Sequence, residues 1–345
     1  TRDGYEKKFR NNVFPTIGKE IIGNLSPETL NNLLNNLYYD KKRSFSSVSN
    51  LHSLLLSMAK YAVKKGYLES FDRDEFPVPK RDEDAAMEEH NEQSRDTVPA
   101  EKLDAIFERF DENSSVFLPM VISLLAGARI GEACAIAVED CDFENRLLHI
   151  RRQFTADNKF QICNPKNNSK RVVPMCDSLY EILKAAVEKR ERNMREWGGN
   201  YIRTYLKKAN NTPTYRNLHG FYDINYDENG NEIHFLNVTE YGKIIYPSVL
   251  KHSARVIHGY STNPKNKRKK GKAIYKYYNN HSLRHTFASR LNSLGVPDYV
   301  ISALLGHKKQ ASQNASRTTQ KYIHLSNEDL LKYAPIIEKV YTFKK

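Results

Sequence analysis

Three side chains able to handle a phosphate share one helical turn, His281, Arg284 and His285. A further histidine, His307, follows Gly306, and a phenol, Tyr322, stands between Lys321 and His324. A guanidinium can hold two phosphate oxygens at once, an imidazole can donate a hydrogen bond or move a proton, and a phenol becomes a covalent nucleophile where its oxyanion is stabilised. Together these residue types suit nucleophilic attack on a phosphodiester without a metal. Taken alone, Leu283-Arg284-His285 reads more simply as the solvated face of an amphipathic helix, so the weight falls on what the rest of the chain supplies.

The elements that must position these groups are legible from apolar spacing. Leu283, Phe287, Leu291 and Leu294 recur at helical intervals, Gly295 ends that helix, Pro297 opens the next, and Val300, Ile301 and Leu304 carry it to Gly306. His307 is thus expected just past a helix end. Far upstream, a strongly apolar helix over 116–126 stops at Gly127, and Arg129 follows between Gly127 and Gly131. An arginine so placed is aimed by rigid backbone. Glu132, three residues on, could orient neighbouring groups, and an Arg/Glu pair that only caps helices explains the same spacing equally well. Alternating segments over 147–154, 159–164 and 171–175 predict a three-stranded antiparallel sheet. Its second turn offers Lys166, with Lys159 and Lys170 as rivals and a solvated hairpin lysine as the plain alternative.

Ahead of this lies a small all-helical unit with helices over 5–17, 26–38 and 46–66. Ser26, Pro27 and Glu28 form a helix start, and Leu30, Leu33, Leu34 and Leu37 line one face. In the third helix Val48, Leu51, Leu55, Met58 and Ala62 face inward. The loop Lys41-Lys42-Arg43 is either a phosphate contact or an ordinary exposed loop. The domain boundaries read as 1–75 for this unit, 76–98 for a linker and 99–345 for a second unit, with an insertion around 195–280. That insertion holds a hairpin turning at 227–230 and a helix over 247–258. Residues 251–280 carry nine Lys and Arg and no acid, including Lys267, Arg268, Lys269 and Lys270, interleaved with tyrosines. Such a run is usually a solvated loop, but beside His281 it could lie along a phosphate backbone. A capping box at Ser326 starts a last amphipathic helix over 326–345, suited to its own domain or to a neighbour.

Net charge is +13 over 345 residues, and it is unevenly placed. Residues 1–70 hold 11 Lys and Arg against 6 Asp and Glu, residues 71–98 hold 4 against 10, and the remainder 39 against 25. A basic body with an acidic joint points to a polyanion, most commonly nucleic acid. No apolar run approaches a membrane span, and no phosphate-binding glycine loop is present. Cys134, Cys141, Cys163 and Cys176 form no CxxC pair and no metal-ligand spacing with histidines, as expected of free thiols in a reducing cytoplasm.

The segments GARIGEA, PKNNSKRVVPM, HSLRHTFASR, LLGH and TTQKYIHL occur in the order in which the tyrosine recombinases, or phage-type integrases, carry their catalytic set. Each motif is weak alone; five in order, behind a helical unit that resembles the family's core-binding domain, are specific. The resemblance covers the chain except about 195–280, and that long segment is most like integrases of integrative and conjugative elements. It implies a mainly α fold with a small antiparallel β-sheet, in a two-domain recombinase architecture. It also implies a site-specific DNA recombinase that integrates and excises a mobile element through a 3′-phosphotyrosine. The catalytic set would be Arg129, Lys166, His281, Arg284, His307 and Tyr322, with Glu132 supporting, and with no metal or cofactor. Expected partners are double-stranded DNA, three further copies in a tetramer joined by exchange of the C-terminal helix, and an excisionase or DNA-bending protein, all at a bacterial nucleoid. A non-cleaving DNA-binding regulator, or a topoisomerase or resolvase of the same chemistry, remain the alternatives. One departure stands out: Tyr322 lies fifteen positions after His307, with 310–317 as the apparent excess over the family's usual spacing.

Overall fold

A computed structural model describes residues 2–82, 97–155, 161–201, 207–208, 233–260, 271–279, 281–307 and 325–343. The chain divides into two compact units, Thr1–Glu92 and Gln93–Lys345. Among the described residues no helix is long and apolar enough to cross a membrane.

In the first unit the helices are α1 (Arg2–Asn12), α2 (Phe14–Ile17), α3 (Pro27–Asn35) and α4 (Phe45–Lys64). Ser26 starts α3 by accepting the Thr29 N–H on its hydroxyl at 3.1 Å, with Pro27 in the first turn where a missing N–H does no harm. A wider π turn over Asn36–Asp40 continues it and keeps Leu37 and Tyr38 inside. In α4 the buried face is Val48, Leu51, Leu55, Ala59 and Ala62, while Met58 is only partly covered. The core reaches just past residue 75: Phe76 is buried and stacks on His52 with ring centroids 4.5 Å apart.

The second unit is built on α5 (Ala100–Arg109), α6 (Phe117–Leu125), α7 (Ile130–Cys134), α8 (Asp177–Trp197), α9 (Pro247–Ile257), α10 (Ser282–Ser293) and α11 (Asp298–Leu305). Helix α6 is buried along its length from Pro119 to Leu125 and packs against α10. Gly127, just beyond its end, has φ +58° and lies so near Phe287 that a Cβ would come within 2.6 Å of the ring. That close approach brings the Gly127 carbonyl to α10, within reach of the Arg284 guanidinium.

The sheet differs from the one expected. Residues 147–154 do not run as one strand but break at Arg151 and Arg152, whose guanidiniums turn to the buried Asp140 carboxylate at 4.0 and 2.7 Å. The two halves therefore take different partners. Strand β2 (Leu147–Ile150) pairs antiparallel with β1 (Cys141–Asp142) and β5 (Arg171–Pro174). Strand β3 (Gln153–Phe154) pairs antiparallel with β4 (Gln161–Cys163), which pairs parallel with β6 (Lys207–Lys208). The fold class stands, mainly helical with small sheets that are antiparallel apart from the β4–β6 pair. Of the expected hairpin, the turn at 227–230 lies outside the described residues, while Phe235 bridges antiparallel to Ala137.

The C-terminal helix is also not continuous. It forms α12 (Asn327–Leu331), started by the Ser326–Asp329 capping box, and α13 (Ala334–Glu338), because Pro335 fits a first turn but would break a helix interior. Both lie against their own unit, burying Leu330, Ile337, Val340 and Tyr341 in its core. Glu338 accepts the Ser178 N–H at 2.9 Å as well as its hydroxyl, Tyr341 donates to Asp104 at 2.9 Å, and Arg290 donates to the Val340 carbonyl at 2.7 Å. In the single chain the segment expected to reach a neighbour is thus fully engaged at home.

Candidate functional site

Arg284 lies on the inner side of α10 and is buried, 7% exposed. A buried guanidinium must have its donors met, and backbone supplies them. Nη1 donates to the Gly127 carbonyl at 2.5 Å and Nη2 to the Leu305 carbonyl at 2.7 Å. Helix ends leave such carbonyls without intrahelical partners, so the last turns of α6 and α11 are natural acceptors. Nη2 also meets His307 Nε2 at 3.1 Å. Burial first, then the neighbouring Arg129 and Arg171, push the Arg284 guanidinium down to about 9, which still leaves it charged near neutrality.

His307 sits where expected, one residue past the left-handed Gly306 that ends α11. Partial burial, then Arg284, Arg129 and Arg171, hold its imidazole below the ordinary range, while the residue itself remains exposed. Arg129 caps the start of α7 with its side chain 21% exposed, and the Glu132 carboxylate binds it twice, through the backbone N–H at 2.8 Å and Nη1 at 2.9 Å. Glu132 has no exposed side-chain surface. Burial raises its carboxyl, but hydrogen bonds and charges from Arg171 and Arg129 more than offset this, and the net shift is downward.

Arg129, Glu132, Arg284 and His307 are therefore brought together from α7, α10 and the end of α11. A fifth member, Arg171, was not singled out from the sequence. It donates from Nη2 to Glu132 at 2.8 Å and from Nε to the Leu304 carbonyl at 2.7 Å. Its signal was strand alternation: Arg171 shares a face with the buried Val173, and a charge on an inward position must have a partner.

The other candidates stand further out. His281 caps the start of α10, exposed, with its backbone N–H bonded to Asn279 Oδ1 at 2.7 Å. Lys166 is exposed on the short turn Lys166–Asn168 between β4 and β5, where Asn167 and Asn168 both adopt positive φ. Asparagine tolerates that conformation better than most residues. The turn reaches the site through Ser169, whose Cβ would be 3.2 Å from a Cβ on Gly306. Lys41, Lys42 and Arg43 are exposed in the first unit, at the end of the π turn. Tyr322, the excess at 310–317, and Lys267, Arg268, Lys269 and Lys270 lie outside the described residues.

Three guanidiniums around one carboxylate leave the cluster with an excess of two positive charges, and bonds to described residues engage three of the five donors of Arg284. Such a group is built to receive an anion. The family model for the phage integrases matches residues 98–329, which takes in this whole cluster. The chain belongs to the phage integrase family.

Within that family it is 25% identical over 242 residues to a transposase from transposon Tn916 of Enterococcus faecalis, a match covering 66% of this chain and 49% of the relative. It is 24% identical over 304 residues to a XerC-like tyrosine recombinase of Caldanaerobacter subterraneus subsp. tengcongensis, covering 84% and 65%. The chain thus spans about half the length of the transposase. Among solved structures, the Tn1549 transposon integrase in complex with transposon right end DNA superposes with a TM-score of 0.58 at 16% identity, covering 100% of this chain and 89% of the other. The resemblance to tyrosine recombinases is borne out, and so is the two-domain recombinase fold.

Proposed function

We propose that this integrase-family protein is a site-specific DNA recombinase that cuts and rejoins DNA through a 3′-phosphotyrosine. The observation that carries the reading is the positively charged cluster of Arg129, Arg284 and His307 around the buried Glu132, held by backbone carbonyls and open at Arg129 and His307. A rigid, preorganised set of donors stabilises charge that develops on a phosphate in the transition state without reorganising at the moment of reaction.

In this mechanism Arg129 and Arg284 grip the non-bridging oxygens of the scissile phosphate. The Tyr322 oxygen attacks phosphorus, its bond to phosphorus forms as the bond to the 5′ oxygen breaks, and the proton delivered by Lys166 leaves that oxygen as a hydroxyl. His307 and His281 hydrogen-bond the phosphate or pass the phenol proton onward, and Glu132 supports the site from behind. The phosphodiester energy stays in the tyrosyl link, so a 5′-hydroxyl from a second duplex reverses the step and exchanges strands. Exchange needs cuts in two duplexes, which calls for several subunits on DNA, and handing the 325–343 segment to a neighbour would require releasing its contacts with Ser178, Asp104 and Arg290. The transposon relatives support integration and excision of a mobile element as the setting.

The test uses a nicked suicide duplex carrying an end of the element. The protein should become covalently attached to the 3′ side of the cut, and Tyr322→Phe should abolish attachment while leaving DNA affinity intact. A wild-type protein that binds this duplex but never attaches would leave the non-cleaving regulator as the better reading.

A further inference from the structure

Arg171 opens β5 with its side chain 5% exposed, among the groups of the site but behind them. Its guanidinium is shared by three segments. Nη2 donates to Glu132 at 2.8 Å, Nε to the Leu304 carbonyl at 2.7 Å, and Nη1 to the Ser169 carbonyl at 3.5 Å, the longest of the three. Each acceptor belongs to a segment with a different candidate residue. Glu132 holds Arg129, Leu304 lies in the turn of α11 that delivers His307, and Ser169 closes the turn that bears Lys166. Gly306 presses on the same side chain so closely that a Cβ there would stand 2.9 Å from Arg171 Cδ.

We propose that Arg171 is a positioning residue for strand cleavage, setting the spacing of Arg129, His307 and Lys166 around the scissile phosphate without touching it. The inference rests on the recombinase reading above and deepens it. The residue type follows from the geometry. A planar fork offers donors in fixed, divergent directions, whereas a lysine in the same slot is a single ammonium on a flexible stem and holds the acceptors less rigidly.

The electrostatics run the same way. Glu132 is faced by Arg129 from the start of its own helix, by Arg171 from β5 and by Arg284 from α10 at 3.9 Å, with His307 beyond Arg284. Of the influences that lower its carboxyl, those of Arg171 are the largest, and they act against burial. Without Arg171 the burial remains, so the carboxyl titrates higher. Function that needs an ionised Glu132 is then present above that raised value and lost as pH falls through it.

The experiment compares wild type, Arg171→Lys and Arg171→Met in single-turnover attachment to the nicked suicide duplex across mildly acidic to neutral pH, alongside DNA affinity and thermal melting. Both variants should melt cooperatively and keep their DNA affinity, while attachment slows on the order of 10²-fold, the scale expected when catalytic groups shift by about 1 Å. Arg171→Met should in addition show a loss of rate at acid pH that begins higher than in wild type, which a purely structural filler would not produce. A folded variant that attaches at the wild-type rate throughout overturns the proposal, as does failure of the conservative Arg171→Lys to fold, which would assign the residue to stability alone. If wild type itself does not attach, the recombinase reading fails first, and the two failures are told apart.

Discussion

Arg284 Nη2 lies 3.1 Å from His307 Nε2, and because a guanidinium only donates, that ring nitrogen must accept. His307 is therefore held neutral, with its proton on Nδ1. Its imidazole is kept below the ordinary value of 6.5 by burial of part of the ring and then by Arg284, Arg129 and Arg171. The unfolded chain takes up the proton more readily, so this contribution to stability is complete above 6.5 and is lost as pH falls through the lowered folded value. The His307 ring should titrate below 6.5 by NMR, and His307→Gln should remove this part of the acid destabilisation. A ring titrating at or above that value would contradict the bond as assigned.

Glu132 answers three guanidiniums with its own side chain fully buried, Arg129 and Arg171 in direct contact and Arg284 at 3.9 Å. Glu132→Ala should lower unfolding free energy by about 3–5 kcal/mol in denaturant titrations, the range for stranding buried charges by removal of one partner. By contrast, the Arg10–Glu6 pair is as short at 2.6 Å but exposed on both sides, and Glu6→Ala should change stability by less than about 0.5 kcal/mol. Equal losses at both positions would show that distance, and not burial, governs these pairs.

Gly127→Ala should be harmful for two separate reasons. The added Cβ would meet the Phe287 ring at 2.6 Å, an overpacking cost of about 1–3 kcal/mol, and φ +58° adds about 1 kcal/mol of backbone strain for a residue with a side chain. The Gly127 carbonyl that receives Arg284 would move with it, so DNA cleavage should fall further than thermal stability alone explains. A variant with wild-type melting and cleavage would mean that α6 and α10 are looser here than their packing shows.

The C-terminal segment gives a stability test of its own. Ile337 is fully buried against the second unit, and Ile337→Ala should cost about 2–5 kcal/mol in the DNA-free protein. A cost near zero would mean that the segment leaves its own unit in solution and is available to another copy.

For the Lys41-Lys42-Arg43 loop the measurement is salt dependence. If these cations meet DNA phosphates, replacing each with Ala should reduce the slope of log affinity against log salt by about 0.9 for every phosphate no longer neutralised, with little change in sequence preference. An unchanged slope would leave the loop as ordinary solvated surface.

Much of this site could be read in the chain, because it is carried by local punctuation. Gly306 before His307 and the apolar helix before Gly127 each say where a side chain must sit relative to its own backbone, and the structure agrees at both. The 3–4 spacing around Arg284 points instead to a solvated face, whereas the structure buries Arg284, because the Gly127 and Leu305 carbonyls meet its donors, and leaves Leu294 exposed. The sheet was less legible. Alternation marks strands but does not choose their partners, and it was the pull of buried Asp140 on Arg151 and Arg152 that bent one expected strand into two.

By itself, then, the sequence determined the family, the helical class and a candidate set of Arg129, Lys166, His281, Arg284, His307 and Tyr322 with Glu132 in support, since periodicity, capping and motif order are all local in the chain. Only the tertiary structure decided that the carboxylate of Glu132 also binds Arg171, 39 positions away, and that Arg284 reaches the carbonyl of Gly127, 157 positions away. The reason is physical: what a buried charge bonds to is settled by which helix ends and strands are packed against it, and that is a property of the folded core and not of the residues on either side.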